Sequence, residues 1–378
     1  MKLCIIVGNS LRKDPRVIKQ ISCAANEGID VYFIGYMDEN YSKQFLESIG
    51  CSFSIVDLGK KYQGHLTSIF KKLYREFMHF YLPIKMMVKM KPDIIHSNDF
   101  NTLIQAYIAS KICRCKVIYD SHEICAENIG IATNKIRKNA IIFSEKIILK
   151  RIGAMISVSH SAAAYFQEKY KIPLPIVITN CPYRQRIPAK QKNGNSFEVL
   201  YQGQMYKGRG YEEFVNSAKF INKNINLVLR GYGSIENELK EIVHQNNLGS
   251  KVRFDGPVEI KDIVIKASES DVGIVLTQPV NINFKLTVSN KLFEYIHAGL
   301  PVILSDVPEH RYLNEKFNFG IIVTNFSPEG IAECINTLLS DPIKYKLLKD
   351  NAIRAADILC WENESQKLLS LYKDSSLN

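Results

Sequence analysis

Short apolar runs alternate with helix-forming stretches along this chain, and the alternation occurs in two blocks. The first block contains seven candidate strands, at residues 2–7, 30–35, 53–57, 93–96, 116–120, 153–158 and 175–179. The second contains six, at residues 198–202, 226–230, 251–255, 271–276, 301–304 and 320–323. Helical patterns lie between most of them, at residues 15–27, 65–90, 102–111, 140–151, 160–170, 210–221, 235–247, 260–268, 290–298 and 328–339. Apolar runs of this kind are typical of parallel strands buried on both faces, and the alternation predicts βαβ units with right-handed crossovers.

The length of the chain and its least regular segment both predict two domains. At 378 residues the chain is too long for a single ordinary core. Proline, glycine and charged residues interrupt the alternation at 181–196, which we interpret as a linker. We therefore predict an α/β protein of two doubly wound Rossmann-like domains, 1–180 and 197–360, facing each other across a cleft. Residues 343–373, which contain the single tryptophan, also have a helical pattern, and we expect residues 361–378 to form a C-terminal helix that packs across both domains.

Composition excludes several classes of protein. The chain is 46% hydrophobic and 23% charged, and no apolar run approaches the ~18–20 residues of a membrane-spanning helix. The short apolar run before Gly8 is typical of a first strand and not of a secretion signal. The nine cysteines show no zinc-site spacing. We expect a cytoplasmic protein with reduced thiols and without a metal or other cofactor.

Positive charge is concentrated in the first half of the chain. Residues 1–180 hold 25 Lys and Arg against 15 Asp and Glu, whereas the remainder holds 24 against 23. Residues 60–91 alone contain eight basic residues and one acid, interleaved with Tyr, Phe, Leu and Met. This pattern predicts a helix that contacts an anionic membrane surface, with a solvated helix covering a sheet as the alternative. No nucleic-acid motif accompanies the charge, and we predict no nucleic-acid partner.

The most informative helix pattern begins after Ser289. Its hydroxyl suits the N-cap, where it would accept an orphan backbone N–H, and Gly299 suits the left-handed position after the last turn. Asn290, Glu294 and His297 fall on one face of the helix between them. This face is either a ligand-binding surface, because helix N-termini in such folds hold phosphates, or a solvated polar face.

Polar residues stand where strands of the first block end. Gly8 and Asn9 open a flexible turn that can approach a phosphate or sugar, although no GxGxxG pattern supports a dinucleotide site. His96, Asn98 and Asp99 follow another apolar strand, and we interpret them as substrate contacts, with a structural role for the histidine as the alternative. These strand ends therefore predict a ligand site on the first domain.

His122 and Glu123 follow the next strand of the first block. The pair would serve as an oriented acid–base group or as a ligand for sugar hydroxyls. A solvated turn is the alternative interpretation.

Two glycine-containing turns follow successive strands of the second block. The turn at residues 203–210 carries Lys207 and Arg209, whose charges suit a diphosphate. The turn at residues 231–233 repeats the pattern at the next strand end. One such turn is weak evidence for a phosphate-binding site. Two turns of this kind, followed by the helix that begins after Ser289, favour such a site together.

These motifs together resemble the retaining GT-B glycosyltransferases of the large bacterial family called group 1 or family 4. In the first block the resemblance is carried by Asp14-Pro15-Arg16-Val17, the strand end His96–Asp99 and Tyr119-Asp120-Ser121-His122-Glu123. In the second block it is carried by residues 203–210, Gly231-Tyr232-Gly233, Val252-Arg253-Phe254-Asp255-Gly256, Asp271-Val272-Gly273, Asn290-Lys291-Leu292-Phe293-Glu294-Tyr295, Ala298-Gly299-Leu300-Pro301-Val302 and Trp361. The resemblance covers nearly the whole chain and is most specific in the second half.

The resemblance implies transfer of a sugar from a UDP- or GDP-sugar donor to an acceptor held by the first domain. Lys207 and Arg209 would face the diphosphate, and Glu294 would hold the ribose hydroxyls. The implied donor-binding residues are Gly203, Gln204, Lys207, Arg209, Gly231, Tyr232, Gly233, Arg253, Phe254, Ser289, Asn290, Lys291 and Glu294, of which 289–291 would act through backbone amides and Arg253 would lie at the base. The acceptor-binding residues would be Gly8, Asn9, His96 and Glu123. The catalytic candidates are His122, Asn98, Asp99, Arg209 and Lys207.

The resemblance also implies retention of configuration, with the leaving phosphate accepting the acceptor's proton and no metal required. The basic first domain fits a lipid-linked acceptor at the inner face of the cytoplasmic membrane, as in capsule, O-antigen or exopolysaccharide assembly.

Two positions depart from the family's pattern. The first glutamate of its E-x7-E motif, which contacts the donor sugar, is Leu286 in this chain, and the arginine usual after the first glycine is Gln204. Two alternatives therefore stay open: a nucleotide-sugar 2-epimerase on the same fold, and a non-catalytic nucleotide-sugar-binding partner subunit.

Overall fold

The chain divides into two compact units. Unit 1 comprises Met1–Ile178 with Ser365–Asn378, and unit 2 comprises Thr179–Glu364. The chain therefore leaves unit 1, forms unit 2 and then returns to complete unit 1. The structure is a computed structural model and describes residues 1–11, 14–36, 41–55, 69–187 and 196–374. Parts of the predicted linker and of the predicted basic segment, at 188–195 and 60–68, lie outside the described residues.

Unit 1 is built on a seven-stranded parallel sheet with the order β3-β2-β1-β4-β5-β6-β7. Its strands are β1 Lys2–Ser10, β2 Asp30–Tyr36, β3 Ser52–Ile55, β4 Ile94–Asn98, β5 Lys116–Ser121, β6 Ala154–Ser157 and β7 Ile176–Val177. Its helices are α1 Pro15–Asn26, α2 Tyr41–Ser48, α3 Ile69–Met90, α4 Phe100–Cys113, α5 Ile129–Ala132, α6 Lys135–Ile148 and α7 His160–Tyr170. The strand order reverses between β1 and β4, which places the carboxyl ends of β4 and β5 beside the usual ligand crevice.

Unit 2 repeats this plan with a six-stranded parallel sheet in the order β10-β9-β8-β11-β12-β13. Its strands are β8 Phe197–Gln204, β9 Ile225–Tyr232, β10 Val252–Asp255, β11 Val272–Val275, β12 Val302–Ser305 and β13 Gly320–Val323. Its helices are α8 Tyr211–Ser217, α9 Glu236–Gln245, α10 Ile263–Ala267, α11 Ile282–Leu286, α12 Asn290–His297, α13 Pro308–Phe317, α14 Pro328–Ser340 and α15 Pro342–Ile358. The last helix, α16 Trp361–Lys373, starts in unit 2 and belongs to unit 1 from Ser365.

Alternate residues of the inner unit 2 strands, such as β8, enter different cores. Val199 and Tyr201 pack with the core that includes α8, α9 and α14. Leu200, between them, packs with the core that includes α10, α12, α13 and α15. Because helices cover both faces of the sheet, neither set of side chains meets water, and the strand becomes a continuous apolar run. The observed layers thus confirm the physical reason for predicting a doubly wound α/β fold.

Each predicted strand is present in the structure, whereas several helices were not predicted. The omitted helices are α2, α5, α11 and α13. Among the described residues no helix has both the length and the apolar character that crossing a membrane requires.

Candidate active site

The carboxyl ends of β8 and β9 approach each other closely, and glycines make this approach possible. Gly203 and Gly231 are paired in register and have φ values of 115° and 138°. A Cβ on Gly231 would collide with the backbone of Gly203, and a Cβ on Gly233 would collide with the backbone of Met205. The glycines that suggested phosphate binding are therefore required first by the packing of the two turns.

The turn after β8 holds its two cations very differently. The Arg209 guanidinium carbon lies 4.4 Å from the Phe284 ring centroid and 5.2 Å from that of Tyr206. Its Nε donates to the Tyr206 hydroxyl at 3.0 Å, and no carboxylate of the described residues pairs with it. Lys207 is 73% exposed, with its Nζ 3.5 Å from a Glu238 carboxylate oxygen. Arg209 is thus fixed by packing, whereas Lys207 lies on the surface.

Helix α12 begins directly after Ser289, which occupies the N-cap position as predicted. The predicted hydrogen bond from a backbone N–H to the serine hydroxyl is absent, because that side chain accepts none from the first turn. Gly299 has φ of 69° and ends the helix as predicted. His297 is buried, with its Nε2 2.8 Å from the Leu359 carbonyl oxygen, so it does not belong to a solvated polar face.

The Glu294 carboxylate is oriented by a residue of β8. The Gln202 side-chain amide donates to Glu294 Oε2 at 2.6 Å, and the Gln202 backbone N–H donates to the Tyr295 hydroxyl at 2.8 Å. Gln202 is buried and Glu294 is half-buried. Gln202 is not among the predicted site residues, although a glutamine inside a mostly apolar strand was an available signal.

Lys291 lies in the first turn of α12, next to Gly203. Burial lowers the pKa of Lys291 to about 8, and the positive charge of Arg209 acts in the same direction. The unit 2 site therefore brings together Gly203, Arg209, Lys291 and Glu294 at the carboxyl edge of the sheet.

Arg253 and Phe254, the predicted donor residues at the end of β10, have different environments. Arg253 binds Glu198 and Asp255, at 2.9 Å in each case, and these carboxylates raise its pKa. Phe254 is partly buried against the core. The predicted contact between this turn and a base stays a prediction.

Gln204 and Tyr232 are exposed, with the Gln204 amide nitrogen 3.3 Å from the Tyr232 hydroxyl. Asn290 is also exposed, in the first turn of α12. Leu286 is half-buried at the end of α11. The position of the family's missing glutamate is therefore part of a short helix that precedes α12.

In unit 1, the ends of β4 and β5 bring three predicted residues together. His122 Nε2 lies 3.1 Å from Asn98 Oδ1, and the His122 backbone N–H donates to Asp99 Oδ1 at 3.2 Å. The His122 ring also lies 3.4 Å from Asp99 Oδ2. Asp99 has φ of 62° and ψ of 164°, a conformation that is strained for any residue with a Cβ. Such strain is typical of functional sites, where the surrounding fold imposes it.

A buried ion pair lies beneath these residues. Arg16 donates two hydrogen bonds of 2.8 Å to the Asp120 carboxylate, and Gln20 donates a third at 2.6 Å. Asp120 Oδ2 is also 3.6 Å from His122 Nε2. Burial opposes ionisation of Asp120, but the charges of Arg16 and His122 outweigh it and hold the pKa of Asp120 well below its usual range.

This ion pair sets the charge of His122. Burial would favour the neutral ring, but the Asp99 and Asp120 carboxylates raise the pKa of His122 to about 9. Asp14 adds a carboxylate oxygen 3.9 Å from the ring. His122 is therefore an imidazolium near neutral pH, which suits a hydrogen-bond donor better than a general base.

His96 is buried in the core of unit 1. Its Nδ1 lies 2.6 Å from the Tyr372 hydroxyl, and its Nε2 lies 3.7 Å from Asp120. Burial lowers the pKa of His96. The structure thus gives His96 the structural environment that the sequence left open as an alternative, and places it behind Asp120 instead of at the surface.

The three remaining predicted acceptor residues lie nearer the surface of unit 1. The end of the Asn101 side chain lies against Gly8, and a Cβ there would require that side chain to move. Asn9 donates its side-chain amide to Asp14 at 3.4 Å. Glu123 is exposed, and its carbonyl accepts a hydrogen bond from the Ser121 hydroxyl.

Arg16 and Asp120 belong to the motifs that carry the family resemblance but were not predicted as site residues. A usable signal was present, because a charged residue inside an apolar strand, such as Asp120, requires a buried partner. In the described part of the chain no group of three or more His, Cys, Asp or Glu side chains has a metal-binding arrangement.

The two Rossmann-like units and the site at the strand ends of unit 2 define a GT-B glycosyltransferase. Two sequence families match the chain: "Glycosyltransferase Family 4" over residues 18–182 and "Glycosyl transferases group 1" over residues 183–355. The protein belongs to the group 1 glycosyltransferases.

Solved structures share the fold over almost the whole chain. HepE from Anabaena, in complex with UDP and glucose, is 16% identical with a TM-score of 0.76, and the match covers 99% of this chain and 100% of HepE. Sucrose-phosphate synthase from Thermosynechococcus elongatus is 18% identical with a TM-score of 0.74, covering 99% and 98% of the two chains. The lipopolysaccharide outer core galactosyltransferase WaaB is 14% identical with a TM-score of 0.68, covering 98% and 99%. A comparison with curated protein sequences found no match.

Proposed function

We propose that this protein transfers a sugar from a UDP- or GDP-sugar to a lipid-linked saccharide acceptor, with retention of configuration. The observation that carries the proposal is the cluster at the carboxyl edge of the unit 2 sheet, where Arg209 and Lys291 have no carboxylate bound to them among the described residues and Glu294 lies beside them. Uncompensated cations at the end of a parallel sheet suit an anionic ligand. The structures of HepE with UDP and with UDP-glucose support a nucleotide-sugar donor.

Unit 2 would stabilise the leaving group. Breaking the bond between the anomeric carbon and the phosphate oxygen leaves its electron pair on the nucleoside diphosphate. Arg209, Lys207 and the backbone amides at 289–291 would neutralise that charge, which is preorganised electrostatic catalysis. Glu294, held by Gln202, would bind the ribose hydroxyls.

Unit 1 would bind the acceptor and orient the sugar. His122 is held as a cation by Asp99 and Asp120, so it would donate a hydrogen bond to a sugar hydroxyl. Asn98 fixes the ring through its side-chain oxygen. We assign the acceptor's proton to the departing phosphate, and this assignment requires no protein base. Gly8, Asn9 and Glu123 would contact the acceptor.

Exposed apolar side chains on α3 support a membrane-bound acceptor. Leu73, Tyr74, Phe77 and Tyr81 are exposed large hydrophobic side chains within residues 73–81 of the helix. Lys85, Lys89 and Lys91 follow, and their charges suit anionic lipid. We therefore place the reaction at the cytoplasmic face of a membrane, in the synthesis of a surface polysaccharide, a role that WaaB has in lipopolysaccharide.

The test of the reaction is a donor screen followed by turnover. Thermal shift with UDP-, GDP- and dTDP-sugars identifies the donor, and the labelled donor is then incubated with membrane lipid extract. Label in the lipid fraction supports the proposal. Free sugar or an epimer without any acceptor product would indicate the epimerase, and donor binding without turnover would indicate a partner subunit.

The membrane contact is tested separately with vesicles of anionic and of neutral lipid. Phe77→Ser combined with Tyr81→Ser should lower sedimentation with anionic vesicles. Ile343→Ser is the matched control, because Ile343 is 84% exposed on α15 of unit 2. Absence of vesicle binding by the parent protein would contradict the membrane contact and favour a soluble acceptor.

A further inference from the structure

We propose that the side chain of Lys291 is the second cation of the diphosphate site and replaces the charge that Gln204 does not supply. The inference rests on the proposed function and extends it, since Lys291 has so far been assigned only a backbone amide. It names a side chain whose ammonium would contact the leaving diphosphate.

The Lys291 side chain crosses the face of Gly203. It lies so close that a Cβ on Gly203 would be 2.5 Å from Lys291 Cε and 2.9 Å from its Nζ. The glycine therefore gives the lysine access to the turn after β8. The ammonium thus lies at the same strand end as Gln204, although it comes from α12.

No hydrogen bond or ion pair from the described residues explains the position of the Lys291 ammonium. Two charged groups act on the Lys291 ammonium. Arg209, in the turn after β8, lowers its pKa, and Glu294, on α12, raises it. Two cations that converge without a bound carboxylate destabilise the ligand-free protein, and an anionic ligand removes that cost.

The neighbouring residues leave room for one more cation. Gln204 is neutral and exposed beside Tyr232. Lys207 is directed toward Glu238 at the surface. Arg209 is therefore the one cation of the turn that packing already holds in place. Lys291 supplies the second preorganised charge, and Lys207 would join them from the surface when the donor binds.

The test compares the intact protein with Lys291→Met and with Lys346→Met. Lys346 is a matched control, because it is 75% exposed and bound only to Asp350 in the described structure. Titration calorimetry with UDP and with GDP should show binding weakened at least about tenfold by Lys291→Met and unchanged by Lys346→Met. The ligand-free Lys291→Met variant should melt at a temperature equal to or above that of the parent, because a half-buried cation that faces Arg209 is removed.

Proton uptake separates a direct contact from a structural role. Because the pKa of Lys291 is about 8, roughly half of the protein molecules carry a neutral Lys291 amine at pH 8. Binding of an anionic ligand would favour the ammonium form, so these molecules would take up a proton from the buffer. Calorimetry in buffers of different ionisation enthalpy should detect this uptake in the parent and not in Lys291→Met. If Lys291→Met binds UDP and GDP as tightly as the parent, or still takes up the proton, the role of Lys291 is refuted while the proposed function stands. If the parent binds neither nucleotide, the proposed function fails as well.

Discussion

Gln202 donates its side-chain amide to Glu294 at 2.6 Å, and this contact fixes the carboxylate that we assign to the ribose. The other polar atom of the Gln202 side chain, Oε1, is buried and has no hydrogen-bond partner among the described residues. Glu294→Ala therefore removes the ligand for ribose and also leaves a second buried polar group without a partner. We expect donor affinity to fall by about 1–3 kcal/mol with the fold retained.

Titration calorimetry with the donor found in the screen measures this loss. Glu315→Ala, at an exposed position of α13, is the control for removal of a carboxylate. A folded Glu294→Ala variant with parental affinity would refute the ribose assignment.

Arg16→Met tests the buried ion pair of unit 1. The substitution leaves Asp120 charged and buried without its bidentate partner, which we expect to destabilise unit 1 by about 3–5 kcal/mol. Chemical denaturation measures the change. Arg75→Met is the matched control, since Arg75 pairs with Glu76 at the surface and should contribute less than about 1 kcal/mol. If both substitutions lower the free energy of unfolding equally, Arg16 does not stabilise the buried charge of Asp120.

The charge of His122 makes the stability of unit 1 depend on pH. Its pKa is about 9 in the folded protein and about 6.5 in an unfolded chain, so folding favours the protonated ring. The stabilisation is complete below pH ~6.5 and is lost as the pH rises through about 9. The difference in melting temperature between the parent and His122→Gln should therefore be larger at pH 6 than at pH 9.5. A difference independent of pH would contradict an imidazolium at this position.

The strained backbone of Asp99 predicts an inverted order of two substitutions. Asp99→Gly and Asp99→Ala both remove the carboxylate, but only glycine adopts φ of 62° with ψ of 164° without strain. We expect the glycine variant to be more stable than the alanine variant by about 1–3 kcal/mol, as measured by denaturation. The usual order, with alanine more stable, would mean that the backbone changes conformation when the carboxylate is removed.

The fold could be predicted from the sequence because both sheets are covered on both faces. This burial turns strands such as β11 and β12 into continuous apolar runs, and the strand prediction was correct for each run. The omitted helix α13 has the sequence PEHRYLNEKF, in which charged and polar residues dominate and few side chains reach the core. A helix that contributes so little to the core has too weak an apolar pattern to be recognised.

The candidate site could be located from the sequence only at the level of strand ends. Lys207 and Arg209 are equivalent in the sequence, and their difference in the structure comes from Glu238 and Phe284, which are distant in the chain. His96 has its partner Tyr372 on α16, 276 positions further along. Contacts of this separation leave no local pattern, and they decide which polar residues belong to the core.

The return of the chain to unit 1 has a consequence for its synthesis. Tyr372, which binds His96, and Lys373, which binds Glu27 at 2.7 Å, belong to the last segment of the described chain. A ribosome releases that segment only after all of unit 2 has been translated. Unit 2 is continuous in sequence and can complete its core first, whereas residues 1–178, although made earlier, must wait with His96 uncovered. Chaperones that act on the nascent chain would therefore meet the older half of the protein in its less finished state.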